Sequence, residues 1–303
     1  MNRIDTHQHL IPPQYAQWLR DKDIRPGGIE VPDWSESAAL EFMDGHGIQT
    51  GILSLSTPGV YFGNVDEARK WAREINEYCA GLHTRFGFFA TLPMPDVDSA
   101  IEEAAYALDT LKADGIVLLA NYEGRYLGDE AFQPLLEYLH ERNAVVFIHP
   151  GELPAPPVPG IPSFTADFLL DTTRTAVSLI LSGAMNRYEN IRFILAHAGG
   201  FVPYIAYRVL LTMVKQQLPP DLGVLKRFYY DIALSATPAA LPSLLEVADP
   251  AHITYGSDFP FAPPIAVGFI NGQYEQYPLD PALRSAIDRG NSEALFPRLK
   301  GTS

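Results

Sequence analysis

The chain has 303 residues, 47% of them hydrophobic, a formal net charge of −14 and one cysteine. That apolar share can build a large core, and a single α/β barrel commonly fills such a length, so one domain spanning 1–303 is expected. The 22 Lys and Arg form no basic stripe, which argues against nucleic acid as a partner and for a small molecule.

The chain opens on Ile4-Asp5-Thr6-His7-Gln8-His9. Side chains two apart on a strand face the same way, so His7 and His9 make a chelating pair. Two imidazoles rarely hold a catalytic ion alone, so further ligands are expected downstream. Asp5, His7, His9 and Pro12-Pro13 come too early for the apolar stretch of a signal peptide, and a cytoplasmic protein is expected.

Short apolar, β-branched runs predict eight strands, at 3–7, 49–56, 86–92, 115–119, 145–149, 194–197, 228–233 and 253–257. Helical periodicity covers 36–46, 66–84, 97–112, 129–142, 166–187, 203–217 and 238–247. Cys79 lies inside the second of these patterns and reads as core packing, because one thiol closes no intrachain disulfide. The longest apolar run, 168–185, is interrupted by Asp171 and Arg174, so no membrane span is expected. Val145-Val146-Phe147-Ile148 is apolar without alternation, as parallel strands buried on both faces require. The βα alternation predicts an α/β fold, a (β/α)8 TIM barrel. Two long, Pro- and Gly-punctuated loops, 10–35 after strand 1 and 150–164 after strand 5, would overhang its mouth.

Catalytic groups of such barrels stand at the C-terminal ends of the strands. His149, His197 and Asp258 each end a predicted strand, as His7 and His9 do, whereas His46, His83, His140 and His252 fall at helix ends or before strands. A single histidine at a strand end is more often structural than a ligand; five groups converging on one rim are not explained that way. His7, His9, His149 and Asp258 supply three nitrogens and one oxygen, a set suited to Zn²⁺ or Mn²⁺. His197 is left over for proton transfer or for hydrogen bonding to bound water or substrate.

These segments, Asp5-Thr6-His7-Gln8-His9, His149-Pro150, Ala196-His197-Ala198-Gly199-Gly200 and Gly256-Ser257-Asp258-Phe259-Pro260, resemble the amidohydrolase superfamily. The similarity is to its branch of metal-dependent decarboxylases, which includes aminocarboxymuconate semialdehyde, γ-resorcylate and 5-carboxyvanillate decarboxylases. Ala113-Asp114-Gly115 and Tyr126-Leu127-Gly128 point within that branch to the 6-methylsalicylate decarboxylase subgroup. The resemblance implies one divalent ion per subunit on His7, His9, His149 and Asp258, with His197 and Asp258 handling the proton. It also implies that Arg208, eleven residues after His197, enters a neighbouring subunit's site to hold the substrate carboxylate, hence a homodimer or higher homo-oligomer. On its own terms Arg208 reads as a solvated helix residue. An arginine that some relatives carry before the second strand has no obvious counterpart here, Arg20 and Arg25 lying nearby in a different context; Arg174 is a further candidate, though on its own terms it reads as a helix surface ion pair.

Binuclear hydrolases of the superfamily carry a lysine at the end of strand four. Here that strand reads Gly115-Ile116-Val117-Leu118-Leu119-Ala120-Asn121, without one. A mononuclear site is therefore implied, and with it non-oxidative decarboxylation of an ortho-hydroxybenzoate or related unsaturated acid. Hydrolysis of a lactone or C–N bond by metal-activated water is the alternative. Trp34, Tyr61, Tyr122, Phe164, Phe259 and Phe261 are the candidate aromatic walls, with Phe164 and Phe259 foremost as substrate contacts.

Overall fold

Runs such as Val145-Val146-Phe147-Ile148 bury both faces, and in the computed structural model, which describes residues 2–300, they assemble into one parallel sheet. Its strands are β1 (Arg3–His9), β2 (Ile48–Ser54), β3 (Phe86–Thr91), β4 (Gly115–Leu119), β5 (Val145–His149), β6 (Arg192–Leu195), β7 (Tyr229–Asp231) and β8 (Ile253–Thr254). Each pairs with the next in sequence order. The ring closes between β8 and β1: the Thr6 N–H donates to the Tyr255 carbonyl at 3.0 Å, and the N–H groups of Ser257 and Asp258 donate to the His7 carbonyl at 3.2 and 2.7 Å. The (β/α)8 barrel expected from the sequence is the fold observed.

Helices α1 (Pro13–Asp21), α2 (Glu36–Gly45), α3 (Val65–Ala80), α4 (Val97–Asp109), α5 (Gln133–Glu141), α6 (Asp167–Leu181), α7 (Val202–Lys215), α8 (Leu241–Val247) and α9 (Pro264–Gln276) accompany the strands. Ser35, Asn64 and Asp96 start α2, α3 and α4 by accepting hydrogen bonds from the N–H groups of Ala38, Glu67 and Ser99. One apolar layer lies between helices and strands; a second, smaller one fills the barrel, where Ile4, Ile52, Phe89, Val117, Phe147 and Ile194 meet Leu295, Phe296 and Leu299 of the C-terminal segment. That segment floors the end of the barrel opposite the mouth.

Strict alternation along β1 would put Ile4 and His7, three residues apart, on opposite faces. Both face the interior, Ile4 in the floor layer and His7 against Phe147 with ring centroids 4.9 Å apart. The pairing with β2 slips between Asp5 and Gln8, a bulge that changes the phase of the strand.

Several boundaries differ from expectation. Strand β1 runs on to His9, while β6 stops at Leu195 and β8 at Thr254, so His197 and Asp258 stand just beyond their strands. Both have left-handed backbone, φ 55° and 65°, which ends an extended ladder. The 10–35 stretch is not all loop, because Pro13 opens α1 from the first helical position, where its missing N–H costs nothing. The helix expected over 166–187 breaks at Gly183, φ 75°, into α6 and a single turn, Ala184–Arg187. The proline-rich stretch after β5 stays irregular up to a short turn at Ser163–Thr165. It joins the other overhanging loop where the Gly27 N–H donates to Glu152 at 2.8 Å.

Candidate metal centre

His7 and His9 project from β1 into the mouth, His149 ends β5, and Asp258 arrives from the turn after β8. All four are buried, and one ligand atom from each lies within 4.8 Å of all the others. The Nε2 atoms of His7 and His9 are 3.1 Å apart, and Asp258 Oδ1 lies 3.3 and 3.1 Å from them. Two nitrogens so close, facing one carboxylate oxygen, form an arrangement that a cation resolves.

The outer ring nitrogens are already committed. His7 Nδ1 donates to Asp231 Oδ2 at 3.0 Å, His9 Nδ1 to the Ser54 carbonyl at 3.1 Å, and His149 Nδ1 to the Pro150 carbonyl at 2.9 Å. With Nδ1 carrying the proton, each imidazole turns the Nε2 lone pair inward. This donor set of three nitrogens and one oxygen fits one divalent ion of the Zn²⁺ or Mn²⁺ kind.

Electrostatics separate the ligands. Burial, then the neighbouring imidazoles, hold His149 well below the usual histidine range. Burial and the charge on His7 lower His9 against the pull of Asp258. Burial alone would raise Asp258, but hydrogen bonds from His197, His7 and His9 take it well below the usual carboxylate range. His7 goes the other way: burial opposes its charge, yet Asp231 and Asp258 raise it to about 10. Neutral His9 and His149 can ligate directly, whereas an ion reaching His7 displaces a proton.

His197 stands beside the cluster, its ring centroid 4.8 Å from that of His7 and its Nε2 3.4 Å from Asp258 Oδ2. Its Nδ1 is buried without a partner. A cavity of about 450 Å³ opens over His149, His197 and Asp258. Phe164, Phe168, Leu169, Leu234 and Phe261 give it apolar walls, and Ser56, Thr57, Thr165 and Ser235 provide its hydroxyls. Gly27 also lines it; at φ 59° it faces the Phe168 ring, which a Cβ there would meet at 2.8 Å.

Phe164 and Phe261 are thus wall residues. Phe259 is not, because its ring stacks on Phe42 in the layer behind the barrel, centroids 4.1 Å apart. Tyr61 and Tyr122 line a separate pocket of about 190 Å³ over β2 to β5, and Trp34 is buried against Tyr78. Among the described residues no Lys or Arg lines the 450 Å³ cavity. Arg20 pairs with Asp33, Arg25 with Asp23 and Glu30, and Arg174 donates to the Tyr126 hydroxyl. Arg208 is exposed on α7. Sequence reasoning passed over two buried carboxylates, Asp231 at the end of β7 and Asp5 in β1. Asp5 accepts from the N–H groups of His7 and Ser257 and from the Ser257 hydroxyl, and burial pushes it up to about 7. Asp231 stands as a lone charge in an apolar segment, although nothing local named its partners, whereas Asp5 sits among the polar residues of β1.

A closed barrel of eight parallel strands with a buried His/Asp cluster at its C-terminal mouth defines a metal-dependent barrel enzyme of the amidohydrolase type. The family described as Amidohydrolase matches residues 4–298, and the chain belongs to it. It is 40% identical to the decarboxylase macB of Penicillium terrestre, over 99% of this chain and 96% of that protein. It is 35% identical to the 6-methylsalicylic acid decarboxylase of Penicillium expansum, over 99% and 98%. A crystal structure described as amidohydrolase II superposes with a TM-score of 0.93 at 29% identity, covering 97% of this chain and 99% of that one.

Proposed function

We propose that this chain is a metal-dependent, non-oxidative decarboxylase of an aromatic acid of the ortho-hydroxybenzoate type, such as 6-methylsalicylate. The observation that carries the reading is His197, an imidazole outside the ligand set, with one nitrogen facing Asp258 and the other buried and unpartnered beside an apolar cavity. The two relatives described above are decarboxylases by name, which favours loss of a carboxyl group over hydrolysis of a lactone or C–N bond.

His7, His9, His149 and Asp258 would hold one Zn²⁺ or Mn²⁺ ion, which would supply the positive charge that offsets the substrate's oxygens. The Phe164, Phe168, Leu234 and Phe261 walls hold the ring and keep water from it. Asp258 Oδ2 and His197 Nε2, 3.4 Å apart, share the proton that goes to the ring carbon bearing the carboxylate. As the C–H bond forms, the C–C bond breaks, its electron pair returns to the ring and CO₂ departs.

The proposal extends to a cytoplasmic homo-oligomer. Among the described residues no helix is long and apolar enough to cross a membrane. Arg208 shares the exposed side of α7 with Tyr204, Tyr207 and Leu211. A second copy docking there would cover the apolar stripe and bring a cation to a cavity that lacks one.

Purified protein loaded with Zn²⁺ or Mn²⁺ is expected to convert 6-methylsalicylate to 3-methylphenol and CO₂, and a chelator to abolish this. His197→Ala should lower turnover by at least about 100-fold while metal content stays at the wild-type level. Turnover without metal, or a ring-opened acid in place of CO₂, refutes the reading.

A further inference from the structure

We propose that Asp231 is a positioning residue that sets both the tautomer of His7 and the stance of His197. It is fully buried at the end of β7. Its Oδ2 faces His7 Nδ1 at 3.0 Å, while its Oδ1 accepts the backbone N–H of His197 at 3.2 Å and that of Ala233 at 2.9 Å. One carboxylate therefore spans a metal ligand and the proton-handling histidine. Gly256 leaves the room for this, since a Cβ there would meet His7 Cβ at 2.8 Å and Asp231 Oδ1 at 3.1 Å.

The three ligand histidines differ in how their outer nitrogen is held. His9 and His149 bond to backbone carbonyls, which no substitution changes into donors. The Ser54 hydroxyl also lies 3.0 Å from His9 Nδ1, but among the three His7 has a side-chain carboxylate in place of a backbone carbonyl. An ionised carboxylate only accepts, so His7 must carry its proton on Nδ1 and keep Nε2 for the ion. An amide in its place has one acceptor and one donor end, and neither orientation serves. With its NH₂ toward His7, Nδ1 becomes the acceptor and Nε2 takes the proton. With its NH₂ toward the backbone, two N–H groups face a donor, and the left-handed turn at His197 and Ala198, φ 55° and 56°, loses its anchor.

The inference rests on the metal-site reading but not on the reaction. The test is Asp231→Asn, a change that preserves shape, with Zn²⁺ affinity measured by competition against a chromophoric chelator and folding followed by urea denaturation. The affinity should fall about 10- to 100-fold. In ¹⁵N-histidine spectra of the zinc-loaded protein, the wild-type His7 ring should carry its proton on Nδ1. With zinc at saturation, kcat should still fall, because the His197 turn has moved. A variant that binds zinc within threefold of wild type overturns the proposal, as does a loaded wild-type His7 with no proton on Nδ1. Should the variant fail to fold, the wild-type spectrum decides. Both readouts are made without substrate, so a protein that binds zinc and releases no CO₂ sinks the decarboxylase reading alone.

Discussion

Asp171 shows how one side chain near the mouth couples its surroundings to pH. Buried on α6, its carboxylate accepts from the Gly151 N–H at 2.9 Å and from the Asn121 amide at 2.9 and 3.1 Å, tying the ends of β4 and β5 to the helix. Burial raises it from 3.8 to about 6, against hydrogen bonds from Gly151, Tyr126 and Asn121. The folded protein thus holds this proton more tightly than the unfolded chain, and stability declines as pH rises from about 4 to about 6. Asp171→Asn carries no such charge. Relative to that variant, wild type should lose about 1–3 kcal/mol between about pH 4 and pH 7 and change no further above it, as read from urea midpoints. At this scale the sequence was informative wherever position along a strand decides direction, which is why His7, His9, His149, His197 and Asp258 could all be named. It misplaced Phe259, whose neighbour Asp258 has a left-handed φ that turns the following ring to the outer layer. Asp231 was missed for a different reason: its partners belong to β1 and to the turn after β6, and no local pattern announces a contact between residues 224 positions apart.

Among the elements, the turn that follows β6 is the one most exactingly made. Gly200, φ 62°, sits against α6 so closely that a Cβ would meet the Leu169 carbonyl at 2.2 Å. The Thr173 hydroxyl donates to that carbonyl and accepts the Phe201 N–H at 2.8 Å, fastening helix and turn together. Gly200→Ala should cost about 3 kcal/mol of stability in urea denaturation, since both the backbone conformation and a backbone contact oppose it. Its kcat should fall as well, because His197 rides on the same turn. Periodicity located every barrel strand, and it failed where chain geometry is set by something other than burial. The 10–35 stretch hid α1 behind its prolines, and Gly183 broke a pattern that looked continuous.

For the molecule as a whole, the exposed stripe Tyr204, Tyr207, Leu211 and Val214 runs along one side of α7. Leu211→Glu should shift the sedimentation coefficient to that of a monomer, and Arg208→Ala should raise KM for the substrate without altering assembly. A Leu211→Glu protein sedimenting as wild type would remove α7 from any interface. The barrel floor carries a further consequence. His9 and Asp258 are 249 positions apart, and the interior they crown is filled from below by Leu295, Phe296 and Leu299, which follow every ligand in the sequence. The first ligand pair meets its last partner only once all eight strands have been made, because contacts this distant in sequence form only after the intervening chain has been ordered. An ion held by all four ligands therefore marks a barrel that has closed.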